Sequence, residues 1–286
     1  MSIAIVTDST AYLPRELADA ALVTVTVVPL HVVLGGVEHE EGSDVTPEEL
    51  SAALRRFTPV TTSRPSPRRF LDAYEAAGAA GATGIVSIHL SAQMSGTCES
   101  AQLAAQQSPV PVEVVDSRSL GMAMGYAVLS AAAASAAGAD LQGVAAVALS
   151  RAEAATVAFY VDTLEHLRRG GRIGAASALL GSALAIKPIL TLVDGSIRPL
   201  ERVRTASRAL ARLAELAVTA ARSADGVVDI AVQHLDSAER ARSLAEQLRE
   251  RAPNAGRVIV AELGAVVGAH VGPGTLAVVV SPRPSA

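Results

Sequence analysis

At 286 residues the chain exceeds an ordinary single domain and can bury two cores. Apolar residues make up 50%, drawn largely from Ala, Val and Leu, with 2% aromatics and no Trp; this predicts aliphatic cavity walls and disfavours a flat ligand that needs stacking. The net charge of −4, without a basic run or aromatics for base stacking, excludes nucleic acid as a partner.

The opening MSIAIVTDST has no basic region ahead of an apolar one, so it is not a secretory signal and a cytoplasmic protein is expected. Ile3 to Thr7 reads as a strand ending in the polar turn Asp8, Ser9, Thr10, with Pro14 placed to open a helix. Val23 to Val28 is a second strand, and Leu30 to Leu34 with Val37 around Gly35 and Gly36 reads as a hairpin. Thr46, Pro47, Glu48 and Glu49 announce a helix running to about Phe57.

The segment from Val60 to Pro67 carries four hydroxyls and two prolines and reads as an ordered loop, with Thr62 and Ser63 in a rigid polar wall. A helix from Pro67 through Tyr74 follows. Ile85, Val86, Ile88 and Leu90 then form a buried strand that runs into a small-residue loop, with a helix from Glu99 onward. Ser95, Gly96 and Thr97 there offer two hydroxyls and free N–H groups at a helix N-terminus, a place to hold an anion. Gly96 would let a ligand approach the backbone closely. The alternative is that Ser95 or Thr97 only caps the helix.

Val112 to Val115 is another strand ending in Asp116, and Ser119 introduces a long Ala-rich helix too interrupted by polar residues to span a membrane, so no stable membrane insertion is expected. Strands alternating with helices predict a parallel sheet covered on both faces, with the turns after Thr7, Val60, Leu90 and Val115 gathered on one edge. From Thr156 the pattern changes. A strand to Val161, a helix stopped at Gly170 and Gly171, and an apolar run over residues 179–184 precede Ile189 to Val193 and Ile197 to Val203, which flank the Asp194–Gly195 hairpin signal. A helix from Ser207 to Arg222, a strand from Val227 to Gln233, a helix from Ser237 to Arg249, and strands near Val258 and Leu276 complete an α/β unit with a largely antiparallel sheet.

Among isolated candidates, His270 is followed by Gly272, Pro273 and Gly274, so a turn holds its backbone and the ring projects from a defined place. Lys187 is the single lysine among 24 Lys and Arg residues, which points either to a local need for an ammonium or to snorkelling. Cys98, the only cysteine, excludes an internal disulfide and a multi-cysteine metal site and reads as a small buried side chain. Nothing in the sequence calls for a cofactor or a metal.

Together these motifs resemble the DegV-like fatty acid-binding proteins. The resemblance runs through IVTDSTAYLP from Ile5, TTSRPSP from Thr61, MSGTCESA from Met94, VVDSRS from Val114, TLEHLRRGGRI from Thr163, LGSALAIKPIL from Leu180, RVRT from Arg202 and GAHVGPGTLAV from Gly268. It implies a two-domain α/β fold: an N-terminal three-layer parallel-sheet domain over residues 1–155 and a C-terminal α/β domain over 156–286, with a lipid site at their interface. It also implies that Thr62, Ser95 and His270 contact a long-chain fatty acid's carboxylate, with Ser63, Gly96 and Thr97 beside them, and that Arg204 is a functional arginine. Family members act as the acyl-carrying subunit of a bacterial fatty acid kinase, whose separate ATP-binding subunit makes acyl phosphate for phospholipid synthesis. The sequence departs from the usual pattern at Thr205 (glycine), Arg202 (lysine), Arg64 (glutamine) and Ala185 (asparagine), leaving the carboxylate constellation intact.

Two other readings compete. A hydrolase would use Ser95 as nucleophile, His270 as base and Asp8 or Asp116 as orienter, although Gln93 and Thr97 stand where the nucleophile elbow needs glycines. A carbonyl-binding kinase acting alone would need an ATP site, and no GxxxxGK[ST] loop is present.

Overall fold

The computed structural model describes residues 2–21, 23–179 and 187–284. The chain runs through β1 (Ile3–Asp8), α1 (Arg15–Asp19), β2 (Val25–Val28), β3 (His31–Leu34), β4 (Val37–Glu40), α2 (Pro47–Arg55) and β5 (Val60–Ser63). It continues through α3 (Pro67–Ala79), β6 (Gly84–His89), α4 (Thr97–Ala105), β7 (Val112–Asp116), α5 (Met122–Ala136), α6 (Leu141–Glu153) and β8 (Thr156–Tyr160). The remainder comprises α7 (Glu165–Arg169), β9 (Lys187–Val193), β10 (Ser196–Val203), α8 (Ala206–Ser223), β11 (Val228–His234), α9 (Ala238–Arg251), β12 (Ala255–Glu262), α10 (Ala265–Val271) and β13 (Leu276–Pro282). Two compact units result: Met1–His31 with Ser63–Ala154, and Val32–Thr62 with Ala155–Ser285. The expected apolar run from 179 falls almost wholly outside the described residues, as does Ala185.

In the first unit a four-stranded parallel sheet has the order β2-β1-β6-β7. Strand alternation sends Ala4, Val6 and Ile85 into a core with Phe70 and Tyr74 of α3 and Ala101 of α4. On the opposite face Ile3 meets Leu141 of α6 over Gly84, where an added Cβ would lie 3.2 Å and 3.3 Å from their Cδ1 atoms. Ser135 Oγ of α5 also donates to the Ile3 carbonyl there at 2.7 Å. With helices on both faces, β6 is buried along its whole length, which accounts for its nearly unbroken apolar run.

The carboxyl edge of this sheet is tied by Asp8, which has no exposed surface. Asp8 Oδ1 accepts from Thr10 N at 3.0 Å and Thr10 Oγ1 at 2.6 Å, and Oδ2 accepts from Leu90 N at 3.0 Å. His89 Nδ1 lies 3.1 Å from Oδ2. Because a carboxylate only accepts, Nδ1 carries the proton and donates; Nε2 then accepts from Ser87 Oγ at 2.7 Å, and Ser87 Oγ accepts from Tyr74 OH at 2.8 Å. One run of hydrogen bonds thus joins all four side chains.

The second unit contains a three-stranded sheet, β4-β3-β5, and a six-stranded sheet of order β10-β9-β8-β13-β11-β12. In the larger sheet β11 and β12 pair parallel, and β10 with β9, β9 with β8, β8 with β13 and β13 with β11 pair antiparallel. Asp194 and Gly195 take φ of +48° and +77°, the two positive values that a two-residue I′ hairpin turn between β9 and β10 requires. Thr46 and Glu49 form the expected capping box on α2: Thr46 Oγ1 accepts from Glu49 N at 3.2 Å and Glu49 Oε2 accepts from Thr46 N at 2.9 Å. Lys187 Nζ donates to the Asp162 carbonyl at 2.8 Å and sits 3.7 Å from its carboxylate, so the lone ammonium ties β9 to the turn after β8.

Two local expectations need correction. Val60–Ser63 is the strand β5 beside β3, not a loop, so Val60 does not join the edge formed by the turns after β1, β6 and β7. Residues Ala265–Val271, read as part of a turn, form α10. That helix has no polar face to give it a 3.6-residue signature, and Gly268 is needed for packing: a Cβ there would lie 2.6 Å from Leu50 Cδ2 of α2.

Replacing Asp8 with Ala strands the Leu90 and Thr10 amides and the His89 Nδ1–H in a buried site, and is expected to cost about 3 kcal/mol of stability. Urea unfolding measures it, and a loss under about 1 kcal/mol would contradict the role assigned to this carboxylate.

Candidate functional site

The residues singled out from the sequence occupy two places, one in each compact unit. In the second unit Thr62 at the end of β5 and His270 on α10 come together, Thr62 Oγ1 lying 2.8 Å from His270 Nε2. The next residue, Ser63, is half-buried and points to the opposite side of the strand from Thr62. Both partners line a cavity of about 490 Å³ whose walls also include His166, Arg169, Gly170 and Arg172.

Gly170 forms the seat of the imidazole. A Cβ at this position would lie 2.0 Å from His270 Nδ1, so no side chain fits beneath the ring. The helix stop itself uses Gly171, whose φ is +71°, whereas Gly170 has an ordinary φ of −73°. The first glycine of the pair, Gly170, therefore serves close packing, and a glycine more than the stop requires was the available sequence signal for it.

Burial first, and the Arg172 guanidinium second, push the His270 pKa down to about 4. His166 is also held below its ordinary value, by burial and by Arg169. His270 is thus neutral at pH 7, and its Nδ1 is buried with no hydrogen-bond partner among the described residues. Arg172 Nη1 donates to the Gly170 carbonyl at 2.7 Å. Neutral hydrogen-bonding groups flanked by guanidinium charge suit an anion, and a neutral imidazole does not repel the Arg172 cation.

In the first unit Ser95 Oγ and Thr97 Oγ1 lie 2.8 Å apart. Gly96 is the N-cap of α4 and no side chain caps it, so the two hydroxyls pair with each other instead of with the helix. The Ser91 carbonyl fixes the loop by accepting from Met94 N at 2.9 Å and Ser95 N at 3.1 Å. The Arg64 guanidinium lies across Gly96, so that an added Cβ would fall 1.8 Å from Nη1 and displace it. Arg64 Nη1 donates to the Gly96 carbonyl at 3.1 Å and pairs with Glu99.

Other candidates take structural places. Cys98 is buried, its Sγ 3.5 Å from the Leu90 carbonyl, and burial pushes its thiol up to about 12, which removes it as a nucleophile. Asp116 Oδ1 accepts from Arg118 N at 2.8 Å and Ala92 N at 3.2 Å. Arg204 lies exposed in the bend between β10 and α8, outside the lining of the His270 cavity. Thr205, found where glycine is usual, caps α8 by accepting from Arg208 N at 3.3 Å. Sequence reasoning missed His89, Gly170, Arg172 and His166.

The DegV family model, described as "Uncharacterised protein, DegV family", matches residues 2–283. The chain belongs to the DegV family. A DegV domain-containing protein of Streptomyces coelicolor is 52% identical over 98% of this chain and 99% of its own length. The structure of a DegV family protein from Thermus thermophilus, reported for its fatty acid binding, superposes with a TM-score of 0.92 at 34% identity, covering 99% of this chain and 100% of that one. DegV of Bacillus subtilis, reported as a fatty acid binding protein, gives a TM-score of 0.90 at 31% identity over 99% and 100% of the two chains. The DegV fold of these structures, with one parallel and one mixed sheet, is the fold described above. No helix among the described residues is long and apolar enough to cross a membrane.

The depressed pKa of His270 links this DegV site to stability. Its folded value of about 4 lies below the ordinary 6.5, so between those limits the unfolded chain takes up a proton that the folded chain refuses. The contribution is fully present above pH 6.5 and is lost as pH falls toward 4. Wild-type stability should therefore fall more steeply across this window than that of His270→Gln. Parallel slopes in denaturant titrations would show that the ring is not held neutral.

Proposed function

We propose that this chain binds a long-chain fatty acid, with Thr62, Ser95 and His270 as ligands of the carboxylate and Ser63, Gly96 and Thr97 beside them. The observation that carries this reading is the neutral His270 imidazole bonded to Thr62 inside a cation-flanked cavity. The full-length likeness to DegV proteins reported to bind fatty acids supports it. A bound carboxylate only accepts hydrogen bonds, so Thr62 donates its hydroxyl hydrogen to the ligand and accepts from Nε2–H of His270. That places the imidazole proton on Nε2.

The acyl chain lies in an apolar tunnel. Burying each methylene contributes about 0.8 kcal/mol, so sixteen carbons supply roughly ten kcal/mol before the costs of ordering and association. Each hydrogen bond to the charged head nets about 1.5 to 3 kcal/mol. Affinity comes from the chain, and orientation from the head.

In this reading the protein works in the cytoplasm as a carrier without its own ATP site. It presents the carboxylate to a separate ATP-dependent kinase subunit, with Arg204 as the family's functional arginine, and the resulting acyl phosphate feeds phospholipid synthesis. The serine hydrolase alternative lacks support at its orienting position. The Asp8 carboxylate is engaged by Thr10, Leu90 and His89, Asp116 by Ala92 and Arg118, and His270 Nδ1 meets no carboxylate among the described residues.

Denaturing extraction of the purified protein should release about one fatty acid per chain for mass spectrometry. Repeated recovery of ligand-free protein that also fails to take up oleate or palmitate rejects the reading. Thr62→Val and Ser95→Ala should each weaken fatty acid binding by about 1 to 3 kcal/mol and weaken binding of the matching fatty alcohol less. Equal losses for acid and alcohol would mean that these residues act through packing. With a cognate kinase subunit, His270→Ala should lower the rate of acyl phosphate formation more than it lowers binding. Esterase turnover by the isolated chain that vanishes in both Ser95→Ala and His270→Ala would establish the hydrolase instead.

A further inference from the structure

A second cavity, of about 670 Å³, lies wholly within the second unit at the carboxyl edge of β11 and β12. These are the parallel neighbours in the six-stranded sheet, and the crevice beyond the carboxyl ends of parallel strands is where α/β sheets take ligands. β11 ends on His234 and β12 on Glu262, residues paired in register, with Nδ1 of the first 3.8 Å from Oε1 of the second. Glu48 and Ser51 of α2 and the first turn of α9 add to the lining.

Two deeply buried polar side chains line this cavity. Ser51 is 2% exposed and His234 6%, and neither Ser51 Oγ nor His234 Nδ1 has a hydrogen-bond partner among the described residues. Buried polar atoms are almost always satisfied, so two unspent ones on a single cavity indicate a ligand that bonds both.

Charge decides what kind. Asp162 is matched by Lys187 and Asp236 by Arg55, which leaves Glu48, Glu239 and Glu262 around the cavity against Arg240. Among the described residues no Lys or Arg forms an ion pair with Glu48, Glu239 or Glu262. Burial and then the Glu48 charge push the Glu262 carboxyl up, while burial and then Arg242 hold the His234 imidazole below its ordinary value. With its proton on Nε2, neutral His234 offers Nδ1 as an acceptor. A bare metal ion fits less well: no group of three or more His, Cys, Asp or Glu among the described residues could hold one. An ammonium carries three N–H donors on one centre, and Ser51, His234 and Glu262, each with an acceptor, line the same cavity.

We propose that this cavity binds a small primary alkylamine, its ammonium donating to His234 Nδ1, Ser51 Oγ and the Glu262 carboxylate. None of these residues belongs to the proposed fatty acid site, so the two sites are tested separately. Calorimetry of the full chain at neutral pH with 1,5-diaminopentane should give saturable binding at one site. Uncharged 1,5-pentanediol should give none, and tetramethylammonium, which has charge but no N–H, should bind at least about tenfold more weakly. Glu262→Gln, a nearly isosteric change at an exposed residue, should lower diamine affinity about tenfold and leave oleate affinity unchanged; Ser51→Ala should weaken the diamine alone. Absence of diamine binding at millimolar concentration, or equal binding by wild type and Glu262→Gln, overturns the proposal. Zinc or manganese binding that depends on His234 and Glu262, in a chain that takes no diamine, replaces the amine site with a metal site.

Discussion

A carboxylate cut off from water must be saturated with donors, and Asp8 meets that demand with backbone and side-chain groups drawn from two loops. Its Oδ1 fixes the turn after β1 through Thr10, and its Oδ2 fixes the start of the loop after β6 through Leu90 and His89. The loop with Ser95, Gly96 and Thr97 begins five residues after Leu90, so its anchoring begins at this carboxylate. The strand pairing of β1 with β6 supplies the scaffold; the buried acid sets where the two carboxyl-terminal turns leave it.

Three histidines divide according to what their nitrogens do. His89 has both nitrogens satisfied within the protein and acts as structure. His270 and His234 each leave Nδ1 buried without a partner among the described residues, each is held neutral by burial and a nearby arginine, and each lines a cavity. Keeping a neutral imidazole with an unspent nitrogen inside a fold costs stability. The two cavities differ in sign: guanidinium groups flank His270, and carboxylates surround His234. The same side chain thus sits in surroundings of opposite charge.

Regular periodicity made most elements legible in the sequence. The alternating strands, the Thr46 to Glu49 capping pattern and the Asp194–Gly195 turn each write a local rule into neighbouring residues, and each element forms where that rule puts it. Contacts between distant residues were not legible. His89 hides in the apolar run IVSIHL because its partner Asp8 reveals itself only when β1 and β6 pair. Thr62 and His270 were each singled out by local glycine, proline or hydroxyl context, yet 208 positions separate them and no local rule predicts their bond. α10 was missed because a helix buried on every side has no amphipathic pattern. The close seat beneath His270 went unread because Gly170 had already been assigned to the helix stop.

Cys98 gives the chain a built-in clock. It is the only thiol, and it sits in the first turn of α4 with Sγ against the Leu90 carbonyl, where burial keeps it protonated. A thiol-specific reagent in solution reaches it only during openings that lift this turn from the end of β6. Its rate of labelling therefore counts those openings, as amide exchange counts the breaking of backbone bonds. Any ligand that grips the neighbouring loop slows that count in proportion to its hold, without a tag or an engineered residue.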